Sequence, residues 1–571
     1  MKTVLSFLKP FRARMLFGFS IKVISTLIEL LLPAILTHIL DNVILTLNVN
    51  RIIFFGIVMV SCALAAAILN VVANRMAARV SMLFAKEMRR TLFERILYLS
   101  ATDTDRYTIP SLESRITSDT YHVHQFVSMM QRMGVRAPIL LLGGVTITLI
   151  MDPALSLVML ATLPLIFITV YSISRKGVPL YNKVQKSVDG MVRVVREDAQ
   201  GIRVIKALSK NDYENRRYEA VNAALSEDEK RAGTVMGIVN PIMTLLMNLG
   251  IVGVVALSAY RVSKGLSTAA TVIAFMQYFT LISMAMMTIS RMFTNYTKFA
   301  ASARRIGEII DIPDDYIVEK CEKIDTPCHV SMKKVSFSYL GKQNNIENLS
   351  FSLKKGESLG IIGATGSGKT TIIRLLLRFY EAGSGEIKIN GRDIRSYTRE
   401  ELTSMMGVAL QNDFLYADTI EENIKFGRDI SSEDVVRAAK IAQAHDFITA
   451  NKEGYAYKLS PKGTNLSGGQ RQRILIARAI AASPEILIFD DSSSALDYKT
   501  DANLRRALSE SLRNSTVITV AQRVSTIKDC DLIIVLDEGR VIGSGKHGDL
   551  LMNCPEYREI SDSQMGGAFV E

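Results

Sequence analysis

The run "SLGIIGATGSGKTTIIRLLLRFY", residues 358–380, decides the fold of the C-terminal half. A short β-rich stretch enters a glycine-punctuated loop, and the loop opens into an apolar helical segment. Residues 363–370, "GATGSGKT", satisfy G-x-x-x-x-G-K-T in the strand–loop–helix setting that a phosphate-binding loop requires. The loop Gly363, Ala364, Thr365, Gly366, Ser367 and Gly368 closes its backbone N–H groups around phosphate oxygens, and the following helix N-terminus adds a favourable dipole. Lys369 reaches the β- and γ-phosphates, Thr370 ligates Mg²⁺, and Thr371 carries the loop into the helix. Average residue frequencies give roughly 0.02 such matches by chance in a chain this long, so a nucleotide with Mg²⁺ is the expected cofactor.

Two later stretches extend that site. "LIFDDSSSALD", residues 487–497, is an apolar run closing on adjacent carboxylates, the pattern of a buried strand that delivers a metal-linked acid. Asp490 is therefore the second protein group expected at Mg²⁺. "NLSGGQRQRILIARAI", residues 465–480, places Ser467, Gly468, Gly469 and Gln470 at the start of a helix, a second anion site in the same domain. One domain needs one γ-phosphate site, so the second is expected to serve a nucleotide held by a neighbouring subunit.

The N-terminal half is of another kind. The 571 residues are 48% hydrophobic yet 22% charged, a mixture expected of a membrane half joined to a water-soluble half. Six stretches, roughly 15–41, 52–73, 134–151, 154–174, 235–260 and 268–293, carry the ~20 apolar residues that cross a bilayer. Lys2, Lys9, Arg12 and Arg14 precede the first span; Arg75, Arg79, Lys86, Arg89 and Arg90 follow the second, and Arg203, Lys206, Arg216 and Arg217 follow the fourth. The loop after the first span has only Arg51, and that after the fifth only Arg261 and Lys264. This bias puts both termini in the cytoplasm, and it accounts for most of the +12 net charge without nucleic acid. The five cysteines are scattered and suggest no disulfide framework. No cleavable signal peptide is evident at the N-terminus.

Val80, Phe84, Met88, Leu92 and Ile96 form one apolar stripe on a helix reaching past the membrane, with the C-terminal half as its expected contact. Lys22 reads as snorkelling to the interface, whereas Glu29, deeper in the first span, either lines a substrate path or makes a structural hydrogen bond. Met276, Met284, Met286, Met287 and Met292 in the last span are read as helix packing rather than an adaptable binding surface. The expected organisation is a six-span domain over 1–305, a linker over 306–329 and a nucleotide-binding domain over 330–571.

In this order the motifs closely resemble those of the ATP-binding cassette (ABC) transporters, over nearly the whole chain, and specifically an exporter-type half-transporter. The resemblance implies a multidomain membrane protein: an all-α six-helix transmembrane domain with long cytoplasmic extensions, then an α/β P-loop domain. It implies that Tyr339 of "FSY" stacks on adenine, and that Gln411 is the Q-loop glutamine contacting Mg²⁺ and the membrane domain. "LSGGQ" matches the family signature, "SALD" ending at Asp497 the D-loop, and "GIRVIKAL" (201–208) the second intracellular loop. Two subunits are then expected to sandwich two ATPs head to tail.

The chain departs from that family at three places. The residue after the metal-binding Asp is ordinarily Glu, the general base; here it is Asp491. The switch histidine is Gln522, which has no titratable proton near neutral pH. Before the signature, "LSPKGTN" replaces an acidic glycine-rich stretch. The last change bears on how this loop communicates with the coupling helices. With every binding motif intact, the changes at Asp491 and Gln522 predict a site that holds ATP but hydrolyses it slowly, in a heterodimer whose partner half-transporter is non-identical. The expected activity is ATP-driven efflux of hydrophobic or amphipathic (multidrug-type) compounds across a bacterial plasma membrane. Lipid or peptide export and an ATP-gated regulatory protein are the alternatives.

Overall fold

The computed structural model describes residues 1–565 apart from 315, 322–325, 340, 342, 412 and 493, so part of the expected linker lies outside the described residues. The chain divides into two compact units. The first comprises Met1–Tyr98 with Thr108–Pro313, and the second Leu99–Tyr107 with Asp314–Glu571.

The first unit is all helix: α1 (Arg12–His38), α2 (Val49–Leu97), α4 (Thr120–Met151), α5 (Pro153–Ala207), α6 (Asn211–Gly237), α7 (Val239–Ser263) and α8 (Ala269–Ile310). Six stretches among the described residues are long and apolar enough to cross a membrane. α2 alone has 49 residues, about 74 Å at 1.5 Å per residue, more than twice the ~30 Å hydrocarbon core. The turn between α4 and α5 is made by Asp152 and Pro153. The Asp152 carboxylate caps α5 through the Ala154 and Leu155 N–H groups, at 3.0 and 3.3 Å, and Arg261 Nε donates to its other oxygen at 3.0 Å. Pro153 sits at the first helical position, where no N–H is missed. Close helix contacts depend on small residues: a Cβ on Gly250 would come within 2.5 Å of the Phe279 ring.

Several expectations change here. Lys22 does not snorkel. It is buried at 4% exposure, and its Nζ donates to Asn70 Oδ1 at 2.6 Å and Asn74 Oδ1 at 3.0 Å on α2. Glu29 accepts two bonds from Arg136, at 2.5 and 3.2 Å. Val80, Phe84, Met88 and Leu92 are buried within the first unit, where His124 Nδ1 of α4 lies 3.0 Å from the Ser81 carbonyl. The stripe therefore packs inside the helical unit. In the last span Phe275, Tyr278, Phe279 and Ile282 do the packing, while Met276 and Met284 lie on the exposed face. α8 also continues to Ile310, through the first residues of the expected linker.

The second unit is α/β. β1 (Cys328–Phe337), β2 (Ile346–Lys354), β4 (Ser384–Ile389) and β5 (Arg392–Asp393) form an antiparallel sheet ordered β2-β1-β4-β5. β3 (Ser358–Gly363), β6 (Met406–Ala409), β7 (Ile486–Asp490), β8 (Thr516–Val520), β9 (Leu532–Asp537) and β10 (Arg540–Gly545) form a second sheet, ordered β10-β9-β3-β8-β7-β6. Its pairings are parallel except for β10 on β9. All five residues of β7 are buried, the continuous apolar run of a strand covered on both faces. Ligand sites in such sheets lie beyond the carboxyl ends of the strands, and the P-loop after β3 and Asp490 at the end of β7 both stand there. The short helix α3 (Ala101–Tyr107) belongs to this second unit, although its chain neighbours belong to the first.

Candidate functional site

Strand β3 ends at Gly363, and α9 (Lys369–Leu376) begins after Gly368, whose φ of +98° is open to glycine but strained for other residues. A Cβ on Gly363 would come within 2.1 Å of the Leu536 carbonyl, so only glycine lets the loop leave the sheet there. Lys369 Nζ folds back onto its own loop, donating to the carbonyls of Gly363 at 2.9 Å and Ala364 at 2.7 Å. Ser367 is buried and its hydroxyl has no hydrogen-bond partner among the described residues.

A cavity of about 250 Å³ opens above this loop. It brings together Thr365, Gly366, Gly368, Lys369, Thr370 and Thr371 with Gln411, Asp490, Asp491 and Gln522. These expected site residues therefore share one wall-to-wall pocket although they come from four separate stretches of chain. Thr370 Oγ1 and Asp490 Oδ1 are 3.4 Å apart. Adjacent ligands of an octahedral Mg²⁺ with bonds of about 2.1 Å lie about 3 Å apart, so this hard-oxygen pair fits that ion after a shift of a few tenths of an ångström.

Electrostatics favour the same occupant. Burial pushes both the Asp490 and Asp491 carboxyls above the usual carboxylate range. Burial also lowers Lys369, with the two carboxylates opposing that shift. A cation beside the acids and phosphates beside the lysine would restore the charged forms that burial disfavours.

Asp491 is held by two glutamine amides, one of them the departing Gln522. Its Oδ2 accepts from Gln411 Nε2 at 3.3 Å and from Gln522 Nε2 at 2.8 Å. Gln411 thereby commits its amide nitrogen to Asp491, which leaves Oε1 as the atom that could hold a cation. Gln522 is in turn anchored by Gln564, which donates to its carbonyl and accepts from Val524 N, each at 2.8 Å. In the departing stretch before the signature, Lys462 N donates to Leu415 O at 3.0 Å, tying it to the segment that follows Gln411.

The signature residues do not line this cavity. Ser467 caps α10 (Gly468–Ile480) in a reciprocal box: its hydroxyl accepts from Gln470 N at 3.2 Å, and Gln470 Oε1 accepts from Ser467 N at 3.0 Å. Gln472 links this helix to the neighbouring loop by accepting from Ala495 N at 3.0 Å. Asp497 likewise caps its own helix, α11 (Tyr498–Ser511), through Thr500 N at 2.9 Å, and this bond holds its carboxyl below the usual range.

Tyr339 stands beside the cavity. Its hydroxyl donates to Thr371 Oγ1 and accepts from Arg374 Nη1, both at 3.2 Å. Its ring meets Tyr380 edge-on at 5.0 Å. Tyr380 donates in turn to the Asp105 carboxylate of α3, and burial together with that acid pushes its phenol up to about 12. Asp105, Arg374 and Tyr380 are thus site-associated residues that motif spacing does not reveal. The available sequence signals were an aromatic closing the P-loop helix and the acids of "TDTDRY" (102–107) between two stalks.

Comparison with known proteins bears on the whole chain. A family model of the ABC transporter transmembrane region matches residues 15–286, and an ABC transporter model matches residues 346–494. YfiB of Bacillus subtilis, an uncharacterized ABC transporter ATP-binding protein, is 32% identical over 568 residues, 99% of each chain. This chain belongs to the ABC transporter family. YfiC of the same organism, also an uncharacterized ABC transporter ATP-binding protein, is 32% identical to the transporter over 481 residues, 84% of this chain and 80% of its own. The solved structure of a bacterial Atm1-family ABC exporter with ATP bound shares the transporter's fold: the TM-score is 0.82 at 24% identity, over 96% of this chain and 97% of that one.

Proposed function

We propose that this transporter is one half of a heterodimeric ABC exporter, driving hydrophobic or amphipathic compounds out across a bacterial plasma membrane with both termini in the cytoplasm. The observation that carries the reading is Asp491 clamped between Gln411 and Gln522. A glutamate base would reach about 1.5 Å further toward an attacking water. Asp491 falls short by that methylene, and its Oδ2 already receives two amide donors. Gln522 donates a hydrogen bond but cannot take up a proton as a histidine would. The site is built to hold ATP and to hydrolyse it slowly.

The other roles follow from position. Lys369 and the loop from Gly363 to Thr371 bind the phosphates, Tyr339 stacks on the base, and Thr370, Asp490 and Gln411 hold Mg²⁺. Held there, the ion would supply neutralising charge for the phosphates. Ser467 to Gln470, outside the cavity, complete the partner's site, and Asp497 lies at the dimer boundary. Ile202, Val204 and Leu208 leave an exposed apolar tip at the far end of α5, which supports docking on a second subunit. The bacterial relatives support the membrane assigned.

Affinity purification of the tagged chain from its own membranes tests this. A second, non-identical ABC subunit at one-to-one stoichiometry, with Glu after its metal-binding Asp, is expected. A homodimer with brisk ATPase activity would sink the proposal.

A further inference from the structure

Charge inside the membrane spans is scarce, and in this transporter it is one-sided. Glu29, with Asp41 at the outer end, supplies the only acids in the six spans. Lys22 and Glu29 lie two turns apart on one face of α1, and Arg132 and Arg136 lie one turn apart on one face of α4. Arg136, Glu29 and Arg132 all stand within electrostatic range of Lys22. Counted at 1.5 Å per residue from the outer ends of α1 and α4, Lys22 and Arg136 are each more than about 20 Å deep. That places them in the inner half of a ~30 Å core.

The cluster is not neutral. Arg136 uses both oxygens of Glu29. The partners of Lys22 are the uncharged amides of Asn70 and Asn74, which are bonded to each other at 2.9 Å. Arg132 is exposed and donates only to the Ser128 carbonyl, at 3.3 Å, among the described residues. Three cations therefore share one carboxylate, and two of them repel at i, i+4 spacing. A structural polar network in a membrane gains by cancelling its charge; this one leaves two positive charges over. Arg132 is exposed and Arg136 is 39% exposed on its side chain. Arg132 stands at the inner end of its span, about 28 Å from the outer end of α4, whereas Arg136 lies within it. A half-exposed cation at the depth of Arg136 faces a polar path or a partner helix, not hydrocarbon.

We propose that Lys22, Arg132 and Arg136, with Glu29 orienting Arg136, form a substrate subsite that takes the anionic headgroup of an amphipathic compound. This deepens the export reading and rests on it. Arg132 and Arg136 offer the forked donors suited to carboxylate, sulfonate or phosphate. Lys22, pinned by two amides, supplies a fixed background of positive potential. The surrounding apolar spans accept the compound's body.

The test compares two probes of the same shape and opposite charge, 4-pyrenebutyrate and a pyrenebutyl trimethylammonium salt, on the purified complex in phosphatidylcholine nanodiscs. Anisotropy is expected to show the anion binding at least about tenfold more tightly, the effect of one partly desolvated charge contact. Arg132→Gln, which leaves the Arg136–Glu29 pair in place, should reduce that preference several-fold, and Lys22→Gln should reduce it independently. Equal binding of the two probes, or a preference that neither variant moves, overturns the subsite. Displacement of the anion by phosphatidylglycerol in the nanodisc would assign the headgroup to a lipid, and no displacement to a free compound. Export of the same probes from vesicles is scored separately. Anion preference in binding without export of either probe would refute the export reading and leave the subsite standing, whereas export of the cation alone would do the reverse.

Discussion

On the P-loop face, a side chain at the hydrolysis position, Asp491, is tied to two glutamines, while on the signature face Ser467 and Gln470 keep their reciprocal cap and present an unmodified helix start. In the proposed reading both faces hold an anion with backbone N–H groups, which depend on glycines and helix ends and tolerate few changes. Handling a water molecule depends instead on the reach and protonation of single side chains. The two abilities can therefore be lost separately, and in the proposed reading Asp491 and Gln522 put both losses on the P-loop face.

The largest effect should come from removing the cation of the P-loop. Lys369→Ala is expected to weaken nucleotide labelling of this chain by about 100-fold or more, the loss of a charge-assisted phosphate contact, while labelling of the partner chain persists. Next, Gly469→Asp puts a carboxylate at the signature helix start, where even a Cβ would come within 3.1 Å of the Ala495 carbonyl. ATPase activity of the complex should fall about tenfold or more, with this chain's own labelling retained. Equal loss of both would erase the distinction between the faces. A smaller and opposite effect is expected from Asp491→Glu: turnover rises several-fold as the base regains its reach, and an unchanged rate would mean that reach is not what limits the site.

The smallest effect concerns pH. Burial raises Asp491 above the value of 3.8 that it has in water, so the folded site binds the proton more tightly than the unfolded chain. Stability then falls as pH rises from that value through the raised one and is level beyond it. In nucleotide-free melts, Asp491→Asn should gain on the parent more at neutral pH than in mild acid. A gap independent of pH would show that Asp491 ionises as freely as it does in water.

What could be read in the sequence followed contact distance along the chain. Gly363 to Thr371 are consecutive, so their spacing alone specifies the cradle, and β7 announces itself by its apolar run. The six spans are legible because hydrocarbon imposes one length and one composition on each. Lys22 was misread because its partners, Asn70 and Asn74, lie on another helix, and a lone lysine near a span's end has a cheap alternative in snorkelling. The stripe from Val80 to Leu92 is legible as a buried helix face, but periodicity shows which face is buried and not against what. Asp105 and Tyr380 are brought together only by folding, with nothing in either stretch to name the other.

That last pair has a practical consequence. The chain contains no tryptophan, so its near-ultraviolet emission comes from tyrosines, and any single indole introduced would be read against a dark background. Tyr380 joins the Tyr339 ring to Asp105 of α3, next to where the proposed function puts the nucleotide base. An indole at position 380 would turn that junction into an optical gauge, one whose colour and brightness follow each working cycle in real time.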